Sequence, residues 1–209
     1  MSTLDEITRI GVVPVITIDD ASRAVDLAQA LSAGGIDCAE ITLRTTAGLA
    51  AIAAIAAALP DFTIGAGTVL TPTDASKAAD AGARFLVSPG FDDEVVDRAR
   101  ELGVLPVPGV ATATEVQRAL RAGVDHVKLF PAGPLGGRAM IDALAAPFPS
   151  ARFLPSGGVT AQNAAHYAAS PAVFAVSGSW MATRDLIASG DFSTIERLSA
   201  QTTAAIGAP

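Results

Sequence analysis

Cysteine occurs once in this chain, at Cys38, so no intramolecular disulfide can form and nothing marks an oxidising compartment. Positive charge is scarce. Lys and Arg total 14 against 21 Asp and Glu, and the formal charge of −7, with no Lys/Arg cluster, argues against nucleic acid and anionic membrane as partners. A small anionic substrate remains compatible, since a site needs only a local positive patch or a few backbone N–H groups. Long apolar runs are missing too: Leu49 to Leu59 falls well short of the roughly 20 residues that span a bilayer. Met1 to Glu6 lack the basic start and apolar run of a signal peptide, and the expectation is a soluble cytoplasmic protein. No His, Cys and Asp grouping has metal-ligand spacing, and the chain has neither a Gly-x-Gly-x-x-Gly turn nor a Gly-x-x-x-x-Gly-Lys loop. Neither a metal nor another cofactor is expected. Aromatics are only 5%, so the hydrophobic half of the composition owes much to alanine.

Lysine is present only at Lys77 and Lys128. Lys77 lies among Asp74, Ser76 and Asp80 on an amphipathic helix, where a solvated lysine is ordinary. Lys128 stands inside Asp125-His126-Val127-Lys128-Leu129-Phe130-Pro131, which reads as a buried strand. Burying an unpaired ammonium is costly and favours the neutral form. A neutral amine is a nucleophile for carbonyl groups. The plainer alternative is a strand-end lysine whose head snorkels to water.

The rest of the chain alternates short apolar strands with helices. Met1 to Arg9 read as a leading helix. Strands are expected at 11–16, 38–43, 62–67, 84–87, 104–107, the lysine stretch, 152–154 and 173–176, with helices between them, including ones that start at Thr71, Asp92, Thr112 and Thr160, and from Met181 to the C-terminus. Three helices stop at Gly82, Gly103 and Gly123, which are 21 and 20 residues apart. A unit of roughly 20–25 residues is one strand plus one helix, and eight such units predict a single-domain (β/α)8 barrel over residues 1–209, small against the usual ~250. The competing architecture is an open doubly wound sheet, whose nucleotide-binding versions lose support without their glycine motifs.

In a barrel, alternate strand residues point inward and active sites form at the C-terminal ends of the strands. Period two puts Val127 and Leu129 against the helices and turns Lys128 inward, with His126 deeper as a core or hydrogen-bonded histidine. In the second strand Ala39, Ile41 and Leu43 form an apolar set, and Cys38, Glu40, Thr42 and Arg44 a polar one. A solvated sheet face would alternate in the same way. In a strand covered by helices the polar set points inward, so Glu40 shares the cavity of Lys128 as an acid/base, and Arg44 meets an anion at the mouth. An ion pair kept for stability alone would be a weak reason to bury both charges.

Ser156-Gly157-Gly158 follow the seventh strand and Ser177-Gly178-Ser179 the eighth, where this fold often builds a phosphate site. Thr68, after Gly65-Ala66-Gly67, either binds substrate through its hydroxyl or caps a helix. Ser88-Pro89-Gly90 and Pro106 to Gly109 read as rigid strand exits that give shape. Cys38 has no activating partner and reads as inert.

Six motifs, one per strand exit, carry a resemblance over nearly the whole chain: Glu40-Ile-Thr-Leu-Arg44-Thr, Gly65-Ala-Gly-Thr68-Val-Leu, Ser88-Pro-Gly, Lys128-Leu-Phe130-Pro-Ala, Ser156-Gly-Gly and Gly178-Ser-Trp180. In these the chain resembles the class I bacterial aldolases that act on 2-keto-3-deoxy-6-phosphogluconate (KDPG) and 4-hydroxy-2-oxoglutarate (KHG). That resemblance implies a homotrimeric (β/α)8 barrel that needs no cofactor and acts on a small phosphorylated 2-keto acid of the Entner–Doudoroff pathway. It implies that Lys128 forms the Schiff base and that Glu40 is the general acid/base, working through water. Arg44 and Thr68 would hold the pyruvate carboxylate, and Pro89 and Phe130 would pack around the pyruvyl unit. Ser156, where a threonine is more familiar, would contact a substrate hydroxyl, and Gly157, Gly158, Gly178 and Ser179 would bind phosphate. Two further positions depart from the family pattern. Gly133 stands where glutamate is common, and Ser177, where glycine is common, borders the phosphate segment and would tune phosphate affinity. An aldolase for the galactonate epimer and a non-catalytic phosphometabolite-binding barrel are the alternative readings.

Overall fold

Gly11, in the left-handed region at φ 73°, stops the first helix and turns the chain into the first strand. The structure, a computed structural model, describes residues 1–207. Helix α1 (Thr3–Ile10) opens with a capping box in which the Ser2 hydroxyl accepts from the Asp5 N–H and the Asp5 carboxylate from the Ser2 N–H. After β1 (Val12–Ile16), a 3-10 turn (Ala21–Arg23) capped by Asp20 leads into α2 (Ala24–Ala33). Then come β2 (Cys38–Thr42), α3 (Gly48–Ala58), β3 (Thr63–Gly67), α4 (Pro72–Asp80), β4 (Phe85–Val87) and α5 (Asp93–Glu101). The chain continues through β5 (Leu105–Val107), β6 (Gly109–Val110), α6 (Ala113–Arg121), β7 (His126–Leu129), α7 (Arg138–Ala145) and β8 (Arg152–Pro155). It ends with α8 (Ala164–Ala168), β9 (Val176–Gly178), α9 (Arg184–Ser189) and α10 (Phe192–Ile206). Thr71, Asp92 and Thr112, where the sequence puts helix starts, are the N-caps of α4, α5 and α6.

All strand pairings are parallel, as an alternating βα order requires. They form a six-stranded sheet in the order β5-β4-β3-β2-β1-β9 and a three-stranded sheet, β6-β7-β8. Both are curled around a common interior and covered by helices. Between β8 and the stretch before β9, the Phe153 N–H donates to the Ala172 carbonyl at 2.7 Å and the Phe174 N–H to the Phe153 carbonyl at 3.2 Å. At the other side β5 and β6 are one extended stretch interrupted by Pro108, whose carbonyl accepts from the Lys128 N–H.

Three elements differ from the sequence expectation. The eighth strand runs over Val176–Gly178 rather than 173–176, because its ladder forms with β1, Ser177 opposite Val13 and Gly178 opposite Pro14; Val173 makes only an isolated bridge to Phe153. Helix α8 begins at Ala164, not Thr160, since the Asn163 side chain binds the Thr160 N–H and the Gly158 carbonyl and holds 160–163 in a turn. The two-residue β6 was not foreseen at all. The last helix reaches Ile206, and positions 208–209 of the expected C-terminal helix lie outside the described residues. Among the described residues no helix is long and apolar enough to cross a membrane.

The interior face of β3 is made of glycine. A Cβ on Gly65 would lie 2.5 Å from the Phe85 ring, and one on Gly67 would lie 2.0 Å from the Glu40 carboxylate. The missing side chains are therefore the space that Phe85 fills from β4 and Glu40 fills from β2.

Candidate active site

Period two places Lys128 as the sequence predicts. Val127 and Leu129 are buried on the helix side, and Lys128 turns inward with 6% of its surface exposed. Its Nζ lies 3.6 Å from Glu40 Oε1, beyond ordinary hydrogen-bond length, and 5.3 Å from the centroid of the Phe130 ring. Glu40 is 1% exposed, and its Oε2 has no hydrogen-bond partner among the described residues. A buried carboxylate oxygen normally collects donors, because desolvation without them is costly. Here one acceptor is held open beside a buried amine, which suits a group that must bind and move protons.

Arg44 follows β2 and Thr68 follows β3, and the Arg44 Nε–H donates to Thr68 Oγ1 at 3.3 Å. Thr68 has φ 59°, a left-handed conformation that a β-branched residue adopts only at a cost. The strained backbone holds the Thr68 hydroxyl against the exposed Arg44 guanidinium. Pro89 is exposed after β4; its carbonyl would touch a Cβ on Gly109 at 2.2 Å, and Gly109 pairs in register with Lys128. Glycine there lets the Pro89 loop close against the strand next to the lysine.

The loops after β7 and β8 are strapped together. The Ala132 N–H donates to the Ser156 carbonyl and the Gly133 N–H to the Gly157 carbonyl, both at 2.8 Å. A Cβ on Gly157 would sit 3.1 Å from the Phe130 ring, so the wall beside Lys128 runs directly into the glycine loop. Gly133 and Gly158 approach so closely that a Cβ on either would come within 3.2 Å of the other's Cα. Gly178 is covered by the Trp180 ring, and Ser179 is exposed at the rim. Ser177 is buried in β9 and faces Ser156.

The structure thus gathers Lys128, Glu40, Phe130, Ser156 and Gly157 around one interior. A separate cavity of about 330 Å³ touches both Arg44 and Ser179, at the expected carboxylate and phosphate ends, and is lined by none of those five residues. Thr45 closes the Glu40 motif, and sequence reasoning missed five of the other lining residues, Val15, Thr17, Ala182, Thr183 and Arg184. Arg184 is gripped by both carboxylate oxygens of Asp19, a partner 165 residues away. A search for charged residues just after each strand exit would have found it. A larger cavity, about 700 Å³, opens at the opposite ends of the strands beside Glu6, Arg9 and Asp37, and touches none of the residues singled out above.

His126 is half-buried, with Nδ1 2.6 Å from Asp125 Oδ1 and its ring edge-on to Phe174. Cys38 is fully buried; its thiol donates to the Val12 carbonyl at 3.2 Å, and burial pushes its pKa far up, away from any nucleophilic form.

The family model described as KDPG and KHG aldolase matches residues 4–198. Among curated proteins, the 2-dehydro-3-deoxy-phosphogluconate aldolase of Treponema pallidum (strain Nichols) is 47% identical over 207 residues, 99% of this chain and 99% of its own. The KHG/KDPG aldolase of Escherichia coli (strain K12) is 39% identical over 188 residues, 90% of this chain and 88% of its own. Among solved structures, KDPG aldolase from Legionella pneumophila, with pyruvate captured at low pH as a covalent carbinolamine intermediate, superposes with a TM-score of 0.93 at 36% identity, covering 97% of this chain and 98% of that one.

Proposed function

The chain belongs to the KDPG and KHG aldolase family, and from that premise we propose how its own residues perform the reaction. It is an aldolase, a carbon–carbon lyase working through a Schiff base. Its substrate is 2-keto-3-deoxy-6-phosphogluconate, cleaved to pyruvate and glyceraldehyde 3-phosphate in the Entner–Doudoroff pathway. The same site cleaves 4-hydroxy-2-oxoglutarate to pyruvate and glyoxylate.

One observation carries this reading: a buried amine faces a buried carboxylate that keeps an oxygen free. Neutral Lys128 attacks the C2 carbonyl, and Glu40, acting through water, moves the protons that turn the carbinolamine into an iminium ion with loss of water. The iminium is the electron sink. A base removes the C4 hydroxyl proton, the C3–C4 bond breaks, and its electron pair flows into the iminium to leave an enamine while glyceraldehyde 3-phosphate departs. Protonation of the enamine at C3 and hydrolysis of the imine release pyruvate and restore the lysine. Arg44 and Thr68 hold the substrate carboxylate, Pro89 and Phe130 pack the pyruvyl unit, and Ser156 binds a substrate hydroxyl. Backbone N–H groups at Gly157, Gly158 and Gly178, with Ser179, hold the phosphate.

The finer architecture belongs to the same proposal. The two curled sheets are arcs of one single-domain (β/α)8 barrel, a reading supported by the Phe153–Val173 bridge on one side and by the continuity of β5 and β6 through Pro108 on the other. A cytoplasmic homotrimer completes it, and light scattering tests the trimer. For the chemistry, borohydride with pyruvate is expected to leave a reduced pyruvyl adduct on Lys128. Unmodified lysine and no cleavage would sink the reading.

A further inference from the structure

Two hydroxyls face each other inside the site, and the mechanism above uses one of them. Ser156, just past β8, is 5% exposed, and Ser177, in β9, is 0% exposed. Ser177 Oγ donates to Ser156 Oγ in a long hydrogen bond of 3.4 Å, and among the described residues neither hydroxyl has another hydrogen-bond partner. A serine hydroxyl has one proton and two lone pairs. Accepting from Ser177 occupies a lone pair of Ser156 and leaves the Ser156 proton uncommitted. The Ser156 backbone is pinned on both sides of the lysine strand's exit, its N–H to the Leu129 carbonyl at 3.0 Å and its carbonyl to the Ala132 N–H at 2.8 Å. The side chain therefore projects from a fixed backbone, beside Lys128 and the glycine loop.

We propose that Ser177 is a positioning residue: its hydrogen bond orients the Ser156 hydroxyl as a donor toward an oxygen on the hydroxylated, distal part of the substrate. The proposal rests on the aldolase reading and adds to it a residue that never touches substrate. Ser177 is fully buried, and the side-chain contact through which it acts is the Ser156 hydroxyl.

The test uses the full chain and compares wild type, Ser177→Ala, Ser156→Ala and the double variant in two assays. The first is borohydride trapping with pyruvate, which has no distal hydroxyls. The second is kcat and KM for cleavage of the phosphorylated six-carbon substrate and of its galactonate epimer. Ser177→Ala is expected to trap pyruvate at the wild-type rate while kcat/KM on the gluconate substrate falls about 5- to 10-fold, the worth of one hydrogen bond. The ratio between epimers should narrow, and the double variant should match Ser156→Ala alone, since a positioning group has nothing left to position. Losses that multiply in the double variant overturn the proposal, as does an equal loss on pyruvate trapping or an unchanged epimer ratio. If Ser177→Ala does not fold, Ser177→Gly carries the same expectations. Absence of trapping in the wild type is a different result and removes the aldolase reading itself.

Discussion

Two nitrogen–carboxylate pairs lie toward opposite ends of the strand array, and the more deeply buried one is the less satisfied. At the N-terminal end, Glu6 of α1 uses both oxygens: one accepts from Arg84 at 3.0 Å, and the other accepts from the Thr63 hydroxyl and pairs with Arg84 at 2.8 Å. Arg84 also donates to Thr63 at 3.2 Å, which closes the triangle. The side chains are 34% and 18% exposed, so water shares the load. At the other end, Lys128 and Glu40 are 7% and 1% exposed, stand 3.6 Å apart, and leave Glu40 Oε2 bare. A chain selected for stability alone would distribute its hydrogen bonds the other way, because unpaired polar atoms cost most where water is absent. The upper pair, Lys128 and Glu40, leaves bonding capacity open, which fits the role proposed for it, and the lower pair, Glu6 and Arg84, spends its capacity on the fold.

The largest expected effect separates the two ends completely. Lys128→Met should abolish pyruvate trapping and lower cleavage by at least about 10⁴-fold, read by kcat. Glu40→Gln comes next, with kcat down on the order of 10²- to 10³-fold. Its melting temperature should hold or rise, since the neutral Lys128 amine that the mechanism requires loses no charge partner and an amide is cheaper to bury than a carboxylate. A marked fall in melting temperature would break the comparison by making the upper pair structural. Gly67→Ala tests the space that the Glu40 carboxylate fills. A displaced carboxylate should cost about 10- to 100-fold in kcat, with a folded circular dichroism spectrum retained.

The smallest effect belongs to the lower pair. Glu6→Gln should leave kcat unchanged and lower the melting temperature by roughly 2–4 °C, about 1 kcal/mol in a chain of this size. Burial works to raise the Glu6 carboxyl, but hydrogen bonds from Thr63 and Arg84 and the Arg84 charge outweigh it, and the net shift is downward from 4.5. A carboxylate lowered by folding stabilises above its unfolded value, and that stability is lost as the pH falls through the folded value. The gap between wild type and Glu6→Gln should therefore be full at neutral pH and close on acidification below about 4.5. Thermal melts across that range read it directly.

Much of the upper site was legible because it breaks local rules. A lysine in an apolar strand and a polar set alternating with Ala39 and Ile41 are anomalies visible without coordinates. The caps Thr71, Asp92 and Thr112 were legible for the opposite reason, since they obey local rules. What stayed hidden depends on distant partners. The shift of the eighth strand to Val176–Gly178 is set by its ladder with β1, more than 160 residues earlier. The grip of Asp19 on Arg184 is equally remote. Gly67 was read as part of a motif, yet its contribution is a space, and only the Glu40 carboxylate filling it shows what that space is for. Thr68 was picked out for its hydroxyl; its left-handed backbone is a tertiary imposition that a threonine gives no sign of.

Glu40 belongs to the six-stranded sheet and Lys128 to the three-stranded one, and the sheets meet at the Phe153 bridge and at the bend around Pro108. The distance between the two working groups is therefore a clearance between two assembled parts rather than a dimension within one. A slip of about 1 Å at such a joint can cost on the order of a hundredfold in rate. Substitutions near Phe153, or at Pro108 whose carbonyl holds the Lys128 N–H, should therefore detune the amine–carboxylate alignment without removing either group.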